Sequence, residues 1–340
     1  MKADIEQRFD KWTAVPGWRV EVFSPDRQDE WDEFVAQSRN GTFLLCRGYM
    51  DYHADRFTDC SLMIYYGRQL LALLPGHLEG QTYCSHNGLT YGGLLLHPHI
   101  TLVRVQAALV TACAFLQCHY NVTKLVYKAI PHIYHRYPAE DDLYVLTRLG
   151  ARLAERCVSS VVRPEMALPF RCSRRSQQKR AERNGFILFE DDAFHLFWPL
   201  LEENLLRRHG VKPVHTLEEI ERLHRSFPDR IRLFRVCEGT ETVGGCVVYE
   251  TDCVAHVQYI ASSERGRHSG ALDLLFTHLL TVRYRHVPYF DFGISTEQGG
   301  RILNEGLLFQ KEGFGARSVV YDKYVLELDK PAAGERTKHD

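Results

Sequence analysis

The phrase LLFQKEGFG, from Leu307 to Gly315, sets one cation, Lys311, among phenylalanine and glycine. A helix that ends there turns on its glycines, which let the backbone crowd against a ligand. An ammonium so placed can stabilise an oxyanion or grip a carboxylate or phosphate. A simple helix C-cap, worth about 0.3–1 kcal/mol, accounts for the same position. Groups able to carry a proton stand nearby in sequence: His256 and Tyr259 on VAHVQYI, Asp291 on YFDFG and Glu305 in LNEGLL. Asp291 fits equally as a turn cap, and His256 and Tyr259 as core residues with satisfied polar tips. The turn SERGRHSG supplies Arg265, Gly266, Arg267 and Gly270. Free amides at a helix start and two guanidiniums suit a phosphate, although an ordinary polar loop has the same composition. Arg175, Lys179 and Arg183 recur at helical spacing and make a basic stripe, for a polyanion or for solvent.

The elements that must position these residues are written twice. In the first half, SLMIYYG and RQLLALLPGHLEG read as a hairpin, NGLTYGGLLL as a third strand, ITLVRVQAALVTACAFLQCHY as a helix and TKLVYKAI as a buried strand. In the second, IRLFRVCEG and ETVGGCVVYE form the hairpin, followed by the strand CVAHVQYIAS, the helix SGALDLLFTHLLTVRYR and the strand PYFDFG. Tyr91 and Tyr259 are 168 apart, Tyr127 and Asp291 164, and LGAR at Leu149 recurs as FGAR at Phe314, 165 later. One supersecondary order at a domain-sized offset predicts two similar domains arising by duplication. Between the halves, DDAFHLFWPLLEENLLRRHG reads as a helix, and VHTLEEIERLHRSFPDR as another with Thr216 and Glu219 as its capping box.

A chain of 340 residues with net charge −1 has no general positive field for nucleic acid or a membrane surface, so a polyanion must be met locally. The charged N-terminal MKADIEQRFDKW has no apolar signal core, and a cytoplasmic location is expected. LVRVQAALVTACAFLQC reads as a core-facing helix, and no membrane insertion is expected. The ten cysteines are scattered singly, as reduced core residues would be. Cys84 and His86, or His97 and His99, offer ligand types without four converging partners, and no metal is expected.

The repeated order resembles the N-acyltransferase fold of the GNAT superfamily. YFDFG followed by GLLFQKEGFGAR, RRSQQKRAERNG in mid-chain and NGTFLLCRGYM near the start resemble the FemAB-like and BioF2-like double-GNAT acyltransferases, over Trp18 to Leu328. The resemblance implies an α/β fold with α+β mixed sheets in two tandem GNAT-like domains, 18–165 and 166–328, the second opened by the basic and helical segment 171–228; the tail DKPAAGERTKHD, 329–340, has nothing to bury and is expected to be disordered. It implies an enzyme transferring an acyl group from acyl-CoA as co-substrate to an amino group of a cell-envelope or polysaccharide precursor. Lys311 would lie at its active centre, Arg265, Gly266, Arg267 and Gly270 would hold the donor, and Phe314 and Gly315 would line the acceptor site with the basic stripe. Two features depart from the pattern. Leu272 fills the last glycine position of the phosphate signature, and no charged coiled-coil insertion is present. Two alternatives stand: an aminoacyl-tRNA-dependent, FemAB-type transferase that builds peptidoglycan bridges, the one reading in which nucleic acid is a partner and one that the missing insertion weakens, and a non-catalytic ligand-binding double-GNAT protein, which the degenerate signature favours.

Overall fold

The computed structural model describes residues 15–328; the tail expected to be disordered lies outside them. The chain forms two compact units, one running to Arg156 and regaining the chain from Tyr321, the other spanning Cys157–Val320.

In the first unit, strands β1 (Trp18–Val22), β2 (Leu62–Tyr66), β3 (Gln69–Leu74) and β6 (Leu95–Leu96) make an antiparallel sheet in that order. Helix α1 (Gln28–Gln37) follows β1, and a short helix α2 (Arg47–Met50) precedes β2. A second sheet contains β4 (His77–Glu79) and β5 (Thr82–Cys84), with β5 parallel to β7 (Lys124–Lys128). The segment RQLLALLPGHLEG is thus two strands, broken at Pro75–Gly76, where a side chain on Gly76 would strike the Tyr83 ring. The third strand expected over NGLTYGGLLL is instead mostly a loop, and β5 takes its place. The loop is held down by close backbone approach: a Cβ on Gly92 would lie 2.2 Å from the Ser85 carbonyl oxygen. Tyr91, bonded to the Thr42 hydroxyl, therefore has no strand counterpart in Tyr259.

Helix α3 (Leu102–Tyr120) is long and apolar enough to cross a membrane by length and composition. Its Val105, Ala108, Leu109, Ala112, Cys113 and Leu116 instead recur at helical spacing on one buried face and form the core with β2, β3 and β7. At about 1.5–3 kcal/mol for each large aliphatic side chain removed from water, that stripe fixes the helix against the sheet. Helix α4 (Asp141–Arg148) follows β7, and β8 (Arg152–Val162) completes the repeat.

The second unit opens with α5 (Cys172–Arg183), β9 (Ile187–Asp191) and helices α6 (Phe194–His209) and α7 (Leu217–Ser226). Thr216 and Glu219 close the capping box on α7 as their spacing predicts. The sheet then runs β9, β10 (Ile231–Glu238), β11 (Glu241–Glu250), β12 (Val254–Ser262), β13 (Tyr289–Ile294) and the end of β8. Between β12 and β13 lie α8 (Glu264–Ser269) and α9 (Ala271–His278), the latter extended by a π-helical turn over Leu279–Arg283. Two short strands, β14 (Thr296–Glu297) and β15 (Ile302–Leu303), lead to α10 (Glu305–Glu312) and the last strand, β16 (Arg317–Glu327). LGAR and FGAR both run into final strands of 11 residues, β8 from Arg152 and β16 from Arg317. Within the second unit Ser159, Val161 and Val162 of β8 pair with β13, and within the first Lys323–Glu327 of β16 pairs with β7.

Candidate active site

In the second unit β12 and β13 are parallel but pair only over Val254–His256 against Tyr289–Asp291. Beyond that point they part. Gln258 is an extra residue in β12, because Val247 of β11 faces Tyr259 while Val248 faces Val257, and such a bulge increases the local twist. On β13, Gly293 adopts φ +80, a left-handed conformation that suits glycine, and the pairing with β8 becomes irregular. Parting parallel strands leave a crevice at their carboxyl ends, where open α/β sheets hold ligands.

His256 and Asp291 face each other at the last paired position. His256 Nδ1 lies 2.9 Å from Asp291 Oδ2, and the Asp291 side chain is fully buried. Its other oxygen accepts from the Gly293 amide at 2.8 Å and from the Ser159 hydroxyl. With Asp291 ionised and the imidazole neutral, the carboxylate only accepts, which sets the proton on Nδ1 and leaves a lone pair on Nε2. That is the arrangement of an oriented general base. Phe290 and Phe292, the neighbours of Asp291, point to the opposite face and pack with Phe276 and Phe314 in the apolar core.

Lys311, near the end of α10, is buried, and its Nζ donates to the Gly293 carbonyl at 2.8 Å, the Ile294 carbonyl at 2.9 Å and the Ser295 hydroxyl at 3.0 Å. Ser160 bonds Ser295 in turn. Burial pushes the ammonium down to about 8, opposed by the nearby Asp291 charge. Gly293 therefore ties the two halves of the site together, its amide on Asp291, its carbonyl on Lys311 and its Cα side against the His256 ring.

The remaining sequence candidates separate. The Tyr259 hydroxyl is committed to His215, to its backbone amide and its Nδ1, and the ring packs edge-on against Trp198. Glu305 is exposed in the first turn of α10, outside the His256–Asp291–Lys311 network. Phe314 is core, and Gly315, at φ +86, lets the chain pass the Leu168 carbonyl, which a Cβ would meet at 2.7 Å. Arg175, Lys179 and Arg183 lie exposed on α5, and Arg183 bonds back to the Lys179 carbonyl.

The turn from β12 to α8 is largely closed on itself. Ser263 Oγ accepts from the Gly266 amide at 3.0 Å, and a Cβ on Gly266 would lie 2.0 Å from the Val243 carbonyl oxygen. A Cβ on Gly270 would lie 2.3 Å from the Gln177 carbonyl oxygen of α5. Both glycines thus allow close packing within the protein. Arg265 is paired with Glu238 at 2.6 Å. Arg267 is free of a carboxylate among the described residues, as is Arg208 of α6. Burial holds the Arg208 pKa below its usual range, and the charges of Arg267 and Arg207 lower it further.

Residues 170–298 match the sequence model of the acetyltransferase (GNAT) domain family. Residues 170–298 of the second unit form a GNAT acetyltransferase domain. No curated protein matches the chain. Among solved structures the chain is similar to FemX, at TM-score 0.65 and 11% identity over 92% of this chain and 98% of that one. It is also similar to L-PGS from Bacillus licheniformis, at TM-score 0.60 and 13% identity over 91% and 94%. A third likeness is to the C-terminal domain of a putative lysylphosphatidylglycerol synthetase from Agrobacterium fabrum, at TM-score 0.53 and 10% identity over 76% and 81%. The chain shares its fold with FemX and L-PGS, and its acetyltransferase (GNAT) domain makes it an acyltransferase. In the second unit, Ser159, Ser160 and Ser295 stand beside Asp291 and Lys311, and His215 against Tyr259, without having been singled out in the sequence. Ser159 is 132 residues from the carboxylate it bonds, so no local pattern announces it.

Proposed function

We propose that the protein transfers an acyl group to an amino group of a cell-envelope or polysaccharide precursor, with His256 as general base. The buried Asp291–His256 pair at the mouth of the parting strands carries this reading. The acceptor nitrogen attacks the donor carbonyl; the C–N bond forms, the carbonyl's bond to its leaving sulfur or oxygen breaks, and the amine proton passes to His256 Nε2. Asp291 holds the imidazole in the required tautomer, and Ser159 and Gly293 hold Asp291. Lys311 fixes the turn on which Gly293 sits.

The donor is acyl-CoA in this reading, with Arg208 and Arg267 meeting its phosphates. The aminoacyl-tRNA alternative draws support from the closed turn, which keeps the Gly266 amide for Ser263, and from the fold shared with FemX and with a putative lysylphosphatidylglycerol synthetase.

Donor binding separates the two. Acetyl-CoA at a hundredfold excess over its Kd stabilises a protein that binds it only when folded by about 2.7 kcal/mol, and Arg208→Ala with Arg267→Ala should abolish that gain while Arg265→Ala leaves it. Stabilisation by aminoacyl-tRNA and none by acetyl-CoA would transfer the assignment to the alternative. With the donor known, His256→Gln and Asp291→Asn should each lower kcat by about 10²–10⁴ while donor binding persists.

A further inference from the structure

The β4–β5 hairpin of the first unit gathers three metal-ligand side chains on one face. His77 and Cys84 are direct cross-strand partners, and Glu79 follows His77 by two residues, so the pleat points all three the same way. One ligand atom from each lies within 4.8 Å of the others. His77 Nε2 already meets Glu79 Oε1 at 3.0 Å. His77 is 1% exposed and Cys84 3%, while the Glu79 side chain is 54% exposed and opens the cluster to solvent. The His77 Nδ1 is buried without a hydrogen-bond partner. Phe57 and His86 pack their rings on His77 and fix its orientation.

We propose that His77, Glu79 and Cys84 form a binding site for a zinc-class divalent cation, with water completing a tetrahedral set. Bonds of about 2.0–2.3 Å to nitrogen, oxygen and thiolate at tetrahedral angles bring ligand atoms roughly 3.3–3.8 Å apart, which this cluster reaches through small rotamer changes. Thiolate, imidazole and carboxylate together select zinc over calcium or magnesium, which take oxygen ligands. The Asn87 amide donates to Glu79 Oε1 and orients that carboxylate from outside the set. Lys128, whose Nζ bonds the His86 and Leu89 carbonyls, and Lys323 are the cations whose charges reach Cys84; two anionic ligands offset them. The site needs no contribution from the crevice of the second unit, and it would clasp two strands of only three residues each at the point where β5 joins β7.

The test titrates the full-length, chelator-treated protein with Co²⁺ and then Zn²⁺. The expected result is one equivalent of Co²⁺ with tetrahedral d–d bands and a thiolate charge-transfer band, both displaced by Zn²⁺, and a Zn²⁺-dependent rise in Tm. Cys84→Ser should remove the charge-transfer band, and Glu79→Gln, at an exposed side chain, should weaken affinity at least tenfold with the fold intact by circular dichroism. Cys118→Ser and Cys172→Ser, at exposed thiols outside the cluster, should change neither. Absence of a stoichiometric site, octahedral Co²⁺ bands, or a charge-transfer band that survives Cys84→Ser would overturn the assignment.

Discussion

Lys311 is the residue whose role changes most between sequence and structure. Its charge and its glycine-rich setting are plain in FQKEGFG, and they favour a free ammonium aimed at a ligand. In the folded protein all three N–H bonds are directed at Gly293, Ile294 and Ser295. Lys311→Met keeps the apolar stem but strands two carbonyls and a hydroxyl, so unfolding should ease by about 1–3 kcal/mol, beyond the reach of a helix cap. Loosening of the Gly293 turn should lower kcat as well, because the same glycine holds Asp291. Since burial sets the ammonium near 8, the wild type should lose activity as pH rises through that value, a limb missing from the Lys311→Met profile. Denaturant melts and a pH–rate profile on the variant decide between this positioning role and direct contact with substrate, which would raise KM and leave stability near that of the wild type.

At the level of elements, the turn between β12 and α8 separates a ligand-binding glycine from a packing one. Gly270 has φ +80 and no room for a Cβ beside the Gln177 carbonyl. Gly270→Ala should therefore cost about 1–3 kcal/mol through backbone strain and the shift of α5, even with no donor present. A variant of unchanged stability and weakened donor binding would return the glycine to the phosphate site. The order of strands and helices around this turn was legible because apolar periodicity reports a buried face. The exception was the loop at 85–94, where Leu89, Tyr91 and Leu94 are buried without belonging to a strand, and regular pairing resumes only at β6. Burial alone does not distinguish a strand from a packed loop. The deciding factor, the approach of Gly92 to Ser85, is tertiary.

For the whole molecule, stability should carry an unusual pH signature from the first unit. Asp142 is buried against the Tyr127 hydroxyl, and burial raises its carboxyl to about 7, although the Tyr127 and Leu143 hydrogen bonds oppose the shift. A raised carboxyl binds its proton more tightly in the folded state. Between about 4 and 7 the unfolded chain releases that proton while the folded one keeps it, so stability from this group falls as pH rises across the window and levels off above it. At about 1.4 kcal/mol per pH unit, the loss is on the order of 3–4 kcal/mol. Asp142→Asn removes the titration, and its unfolding free energy from pH 4 to 7 should lack that decline. An identical slope in wild type and variant would show that Asp142 ionises normally.

The sequence by itself determined which residue types were available, the repeat near 165 residues, the amphipathic helices and the family resemblance, because periodicity and spacing are local properties of the chain. It also supplied His256, Asp291 and Lys311 as candidates. Only the tertiary structure decided that these three share a network and that Glu305 and Tyr259 stand outside it. The physical reason is sheet pairing: the end of β8 lies against β13 and sets Ser159 and Ser160 beside Asp291 and Ser295, and hydrogen bonds between residues more than a hundred positions apart leave no trace in sequence spacing.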